Sequence, residues 1–208
     1  MSRVLLIGVT GTVGSAVREV LTEAGYELVT ADFNEAPGIA DHHIDITDSA
    51  SIAKVLAAAG EIDAVAVTVG ELELAQLPDL ELSAITSSIS SKLTSQIDVA
   101  LQSLATLKPG GSITLVSGIM SRIPWRGGIT AAVVNGGLDA FVVAMAAELN
   151  LDRRINSVSP SILQESIDKL GGPNPLPGHT PIPARLVAEH YLRSIAGIES
   201  GKTFTVGF

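Results

Sequence analysis

A chain of 208 residues, 46% hydrophobic and only 17% charged, can bury one sizeable core and suits a sheet covered on both faces. Its formal charge of −9 opposes nucleic acid or an anionic membrane as partner, and the absence of cysteine excludes disulfides and thiolate metal sites. The same absence fits a reducing, cytoplasmic address.

Val4 to Ile7 is an apolar run of strand length, too short for a signal peptide behind Arg3. It leads straight into Gly8-Val9-Thr10-Gly11-Thr12-Val13-Gly14 and a helical segment, Thr12 to Ala24, closed by Gly25. Strand, glycine turn and helix in that order are what a dinucleotide phosphate site requires. Without Cβ atoms at Gly8 and Gly11 the turn is tight and backbone amides can approach a pyrophosphate, while Gly14 lets the helix pack close to the sheet. Thr10, Thr12 and Val13 share that turn as candidate cofactor contacts. The spacing is G-x-x-G-x-x-G rather than G-x-G-x-x-G, so a plain tight connection is the alternative. Leu28 to Ala31 reads as a second strand with Asp32 at its carboxyl end. A carboxylate about twenty residues past the glycines is where such folds grip the ribose of NAD, and it repels the extra phosphate of NADP.

His43 to Ile46 is expected as the third strand, Thr47 or Asp48 as cap of a helix from Ser49 to Ala59, and Ile62 to Val69 as a fourth strand ending at Gly70. Apolar residues at helical spacing run from Pro78 to about Leu107, with Pro109-Gly110-Gly111 as the stop and Ile113 to Ser117 as a fifth strand. A small-residue helix spans about Gly127 to Asn150; Asn135 and Asp139 argue against its crossing a membrane. Ile155 to Val158 is a sixth strand. Prolines and glycines across residues 159–183 predict an irregular loop over the carboxyl edge of the sheet, a functional lid. A helix from Pro183 to Ala196 and a strand from Thr203 to Val206 complete the series. The alternation predicts an α/β chain, one domain over residues 1–208, with a doubly wound parallel sheet of about seven strands.

In order, the glycine turn at 8–14, Asp32, Asp45-Ile46, Thr68-Val69-Gly70, Ser117 and Arg154-Ile155-Asn156-Ser157-Val158-Ser159-Pro160 resemble the short-chain dehydrogenase/reductase family over nearly the whole chain, and within it a short subgroup ending at the seventh strand. The resemblance implies a Rossmann fold and a nicotinamide cofactor, NAD with NADP as the alternative. It puts Asp45 and Ile46 at the adenine, Thr68, Val69 and Gly70 beneath the adenine ribose, and the backbone near Pro160 and Ile162 at the nicotinamide. The family's chemistry uses a Ser and a Tyr-x-x-x-Lys pair. Asn135-Gly136-Gly137-Leu138 resembles the residues from that Lys onward, which leaves Ala131 at the Tyr position and Asn135 at the Lys position; a slip of one residue offers only Thr130 and Val134. Tyr26 and Tyr191 belong to other elements.

Hydride transfer to a carbonyl needs the oxygen protonated or electrostatically stabilised. Ser117 keeps the family's serine position. Lys92 stands about where the family's long helix carries an Asn that supports the catalytic Lys through water; it borders the buried face and is the candidate replacement, with a lysine snorkelling from the helix flank as the alternative. Arg122, Trp125 and Arg126 follow Ser117 in the loop beside the expected substrate cleft, and His179 lies in the proline-rich loop. The arginines suit an anionic substrate or simple solvation. His42 and His43 have no carboxylate–histidine spacing around them, so no metal site is expected. The helices at 78–107 and 127–150 resemble the family's interface pair, which implies a homodimer or homotetramer. The expected function is NAD(P)-dependent oxidation or reduction of a small alcohol or carbonyl through an altered proton relay. The alternatives are a dinucleotide-binding sensor or interaction protein without turnover, and a dinucleotide-assisted isomerase or lyase.

Overall fold

The structure is a computed structural model that describes residues 1–149, 152–170, 174, 176 and 178–208. Seven strands form one wholly parallel sheet: β1 (Arg3–Ile7), β2 (Glu27–Asp32), β3 (His42–His43), β4 (Ile62–Val67), β5 (Leu107–Val116), β6 (Arg154–Pro160) and β7 (Lys202–Val206), in the order β3-β2-β1-β4-β5-β6-β7. The helices are α1 (Thr12–Glu23), α2 (Ser49–Ala59), α3 (Leu82–Ser88), α4 (Ser95–Ser103), α5 (Ile129–Glu148), α6 (Gln164–Leu170) and α7 (Ala184–Ala196).

Alternate residues of the central strands feed two apolar layers, as a pleated strand buried on both faces requires. Leu5 and Ile7 join Val65, Ile113 and Ile155 under α2, α4 and α5. Val4 and Leu6 join Ala64, Val158 and Phe204 under α1 and α7. The strand order reverses beside β1, between β2 and β4, and the crevice at the carboxyl ends there is where open α/β sheets bind ligands. α5 turns Val134, Leu138 and Val142 toward the sheet and leaves Val133 and Val143 exposed. By length and composition it is apolar enough to cross a membrane; here it is one of the sheet's covering helices.

Several boundaries differ from the sequence expectation, each for a local reason. The third strand is only two residues long, because Asp45 closes a turn by accepting the Thr47 amide (2.9 Å) and hydroxyl (2.7 Å). Asp48 caps α2 by accepting the Ala50 amide at 2.9 Å. The long helix is interrupted: a 3-10 turn at Leu77–Asp79 precedes α3, a π-turn at Ile89–Thr94 joins α3 to α4, and α4 ends at Ser103. Pro109-Gly110-Gly111 does not stop that helix. It sits inside β5, where the register with β4 slips between the Ile62–Leu107 and Ala64–Ser112 pairs and Gly110 adopts φ +79°. The proline-rich stretch contains α6, docked by the Glu165 carboxylate, which accepts the Ala184 amide at 2.9 Å, and by a bridge between Leu163 and Ile182. The expected helix end at Asn150 lies outside the described residues, as do positions 171–173, 175 and 177 of the expected loop.

Gly14 is the most tightly packed of the described glycines. A Cβ there would collide with the carbonyl of Gly8, a backbone atom that cannot move aside. Alanine in a helix normally gains about 1 kcal/mol over glycine. Gly14→Ala is instead expected to lose about 1–3 kcal/mol or more in denaturant unfolding, because overpacking outweighs propensity. Gly11→Ala, whose Cβ would meet the Gly8 oxygen at an ordinary 3.5 Å, should cost far less.

Candidate active site

The carboxyl edge of the sheet carries a chain of clefts. At its centre Gly8 takes φ +91°, and a Cβ there would overlap the side chain of Val69 and lie 2.8 Å from the Thr68 hydroxyl. That hydroxyl is 2.8 Å from the Ile7 carbonyl and 3.0 Å from that of Gly8, so Thr68 pins the turn. Gly8 and Gly14 thus seat the amino end of α1 against β1 and β4. Gly11 at that end supplies no side-chain cap, so the first-turn amides are left for an anion. The ammonium of Lys169, carried across by α6, donates to the Thr12 hydroxyl at 2.8 Å and puts a positive charge at the same tip. The cradle fits a diphosphate.

Asp32 is nearly buried and braces the glycine turn. One carboxylate oxygen accepts the Thr10 amide (2.8 Å) and hydroxyl (2.9 Å), and the other accepts the Asn34 amide (3.0 Å). Next to it a cleft of about 450 Å³ opens between Ile7, Gly8, Asp45, Ile46, Val69 and Gly70. Its apolar walls and size suit a nucleobase with its sugar. The Thr47 hydrogen bonds hold the Asp45 carboxyl below the usual carboxylate range.

A second cleft, of about 220 Å³, lies beyond Gly70. The π-turn inserts one residue into the helical spacing, and Lys92 within it is turned inward. Gly70, at φ +141°, admits the lysine stem, since a Cβ there would overlap Lys92 Cγ. Lys92 Nζ donates to Asn135 Oδ1 at 3.0 Å and to the Ser117 carbonyl at 3.2 Å. Gln96 braces this end by exchanging two hydrogen bonds with the backbone of Val116. Burial pulls the Lys92 pKa from 10.5 down to about 8, against the smaller opposing pull of Asp139. The hydroxyls of Ser117 and Ser161, both on residues lining the cleft, are buried and have no protein partner. An ammonium with one N–H to spare beside unpaired hydroxyls can hold and protonate an oxygen.

Ser117, Lys92, Trp125, Pro160 and Ile162 come together in this cleft. Three expected substrate residues do not. Arg122 pairs with the Asp139 carboxylate at 2.8 Å, Arg126 is exposed away from the lining, and half-buried His179 lies outside it, its backbone tied to Leu176 and Asn174. Ala131, which the resemblance sets at the tyrosine position, is buried, and the neighbouring Thr130 hydroxyl is buried without a partner; neither lines the cleft. Tyr191 is a structural phenol: fully buried, it donates to the Val67 carbonyl at 2.7 Å, and burial raises its pKa. Sequence reasoning missed Asn135 as the acceptor for Lys92. It missed Ser161 and Lys169 as well, for which spacing gives no signal.

A family model described as enoyl-(acyl carrier protein) reductase matches residues 8–176. No curated protein matches the chain. Among solved structures, the protein lin1944 from Listeria innocua is 37% identical with a TM-score of 0.91, and the match covers 99% of both chains. A small-chain dehydrogenase in complex with NADPH is 24% identical with a TM-score of 0.84, over 99% of this chain and 96% of that one. A short-chain glucose/ribitol dehydrogenase from Brucella melitensis has 19% identity and a TM-score of 0.83, over 99% and 95%.

The depressed Lys92 pKa has a measurable sign. Below pH 8 the lysine is charged in both folded and unfolded chains, and the folded state carries the full cost of burying it. Between about 8 and 10.5 the folded lysine gives up its proton before the unfolded one, so the cost fades. The stability of the unsubstituted protein relative to Lys92→Met should therefore rise by roughly 1.4 kcal/mol per pH unit over that window. Denaturant unfolding of both proteins at pH 7 and pH 10 checks this; a gap that stays constant would contradict it.

Proposed function

The chain belongs to the short-chain dehydrogenase/reductase family, and from that footing we propose that it is a nicotinamide-dinucleotide-dependent oxidoreductase of small carbonyl compounds or alcohols, with Lys92 in place of the missing tyrosine–lysine pair. The observation that carries the reading is the Lys92 ammonium itself, buried at the cleft floor and bonded to Asn135 and the Ser117 carbonyl. Relative to the family pattern, the lysine and the asparagine have exchanged helices. Asn135 stands where the family's Lys stands, and Lys92 about where its supporting Asn stands.

A reduced nicotinamide dinucleotide, when bound, would supply the hydride. In the turn shaped by Gly8, Gly11 and Gly14, the Thr12 and Val13 amides and Lys169 would hold its diphosphate. Asp45, Ile46, Val69 and Gly70 would border its adenosine, and Pro160 and Ile162 its nicotinamide. Asp32 has lone pairs left after bonding Thr10 and Asn34, and its carboxylate accepts ribose hydroxyls and repels a phosphate in their place. NAD is therefore the expected cofactor, although a structural neighbour binds NADPH. Lys92 directs its third N–H at the substrate oxygen, stabilises the negative charge that gathers there and gives it a proton. The Ser117 hydroxyl rotates to donate to the same oxygen. Asn135 and the Ser117 carbonyl keep the lysine aimed throughout.

The second reading, a dinucleotide-binding sensor without turnover, draws on Ala131, which leaves the family's phenol with no replacement at its own position. We further propose a homodimer through the faces of α4 and α5, where Leu101, Ile129, Val133 and Val143 are exposed, and a cytoplasmic address, which suits a chain without cysteine.

Stopped-flow or steady-state oxidation of NADH by a panel of short aldehydes tests the redox reading. Lys92→Met and Ser117→Ala should each lower kcat/KM by about 100-fold or more, and the unsubstituted protein should lose activity as pH rises through about 8, where the ammonium gives up its proton. Tight NADH binding with no turnover across the panel would favour the sensor.

A further inference from the structure

The cleft beside Lys92 contains one charge and no more. Its walls are built from Leu72, Ile119, Met120, Trp125, Ile162 and Leu176, and its polar lining beyond Lys92 consists of serines and Asn135. Asn135 is committed to the lysine. The undescribed positions around Leu176, residues 171–173, 175 and 177, are glycine and proline and add no charge whatever their placement. Of the neighbouring cations, Arg122 is paired with Asp139, Lys169 donates to the Thr12 hydroxyl, and neither they nor Arg126 line the cleft. With two of its three N–H groups already given to Asn135 and the Ser117 carbonyl, Lys92 can serve one further oxygen.

The space is also small. At about 220 Å³ it falls below the roughly 300 Å³ at which pockets for drug-sized ligands begin. A carboxylate or phosphate elsewhere on the substrate would be buried against aliphatic, methionine and tryptophan side chains with serine hydroxyls but no second counter-charge to meet it, which is strongly unfavourable.

From this accounting we propose that the cleft selects carbonyl compounds, or the matching alcohols, whose body is short, apolar and uncharged, and rejects those bearing a second ionised group. The proposal rests on the redox reading only for naming the held oxygen a reacting carbonyl.

Two near-isosteric, redox-inert probes separate the issues. Butyramide and succinamate present the same amide carbonyl on the same carbon chain, but succinamate ends in a carboxylate where butyramide ends in a methyl group. Calorimetric titration of the intact protein, with and without saturating NADH, is expected to show butyramide binding at least 30-fold tighter. Met120→Lys, which places a second cation on the wall, should narrow that ratio several-fold. Succinamate binding as well as or better than butyramide, or neither probe binding, overturns the proposal, and those comparisons do not depend on the variant folding. If the chain takes up no NADH but still prefers butyramide, the redox reading fails and the cleft's selectivity stands. If NADH binds and the preference is absent, the reverse holds.

Discussion

Lys92 carries its charge to a place where water scarcely reaches, and the carboxyl edge of the sheet around it is arranged to keep it there. A buried ammonium is tolerated only where neutral dipoles and hydrogen-bond acceptors replace its hydration. Four separate segments combine to meet that demand. The π-turn rotates the lysine inward, Gly70 leaves room for its stem, and Asn135 with the Ser117 carbonyl receives two of its protons. None of these features is stabilising on its own. A π-turn strains the helix, a glycine at φ +141° has lost the conformational freedom that glycine prizes, and a fully buried Asn is costly unless bonded. Their convergence on one nitrogen is the reason to read the site as functional rather than as a lysine trapped by packing.

The same glycine joins the two halves of the site. Gly70 borders the cleft of nucleoside size on one side and touches the Lys92 stem on the other. Thr68 and Val69, just before it, lock the glycine turn that seats the tip of α1. Three consecutive residues at the end of β4 therefore set both the phosphate cradle and the lysine's position. This coupling follows from topology: β4 returns beside β1 where the strand order reverses, so its carboxyl end lies between the two clefts. On the far side, α6 closes the arrangement by bringing Lys169 to the cradle and Ser166 to the lysine cleft.

Much of this was legible in the sequence, and what was not has physical causes. The β1–turn–α1 unit, the parallel sheet and a cap at Thr47 or Asp48 follow from apolar runs, glycines and spacing that act locally, while the gathering of Lys92 and Ser117 in one cleft follows from the family resemblance. The features that misled were those decided by distant partners. Pro109-Gly110-Gly111 looks like a helix stop, but β4 pairs on both sides of it and makes it a bulge. Residues 164–170 look too close to prolines and glycines for a helix, yet Glu165 is held by the start of α7. Arg122 seems free for a substrate anion until Asp139, on the next helix, is found beside it. The π-turn is the hardest case, because a one-residue insertion in helical spacing looks like a flank position until the helix is built.

The central claim is that Lys92 is a buried ammonium poised to release its proton near neutral pH. Carbon-13 labelling of the lysine side chains gives five ε-methylene signals to follow by NMR as pH is raised. One of them should titrate near 8, disappear in Lys92→Met and move when reduced dinucleotide is added. A Lys92 signal that titrates at the ordinary lysine value, indifferent to the dinucleotide, would contradict the account.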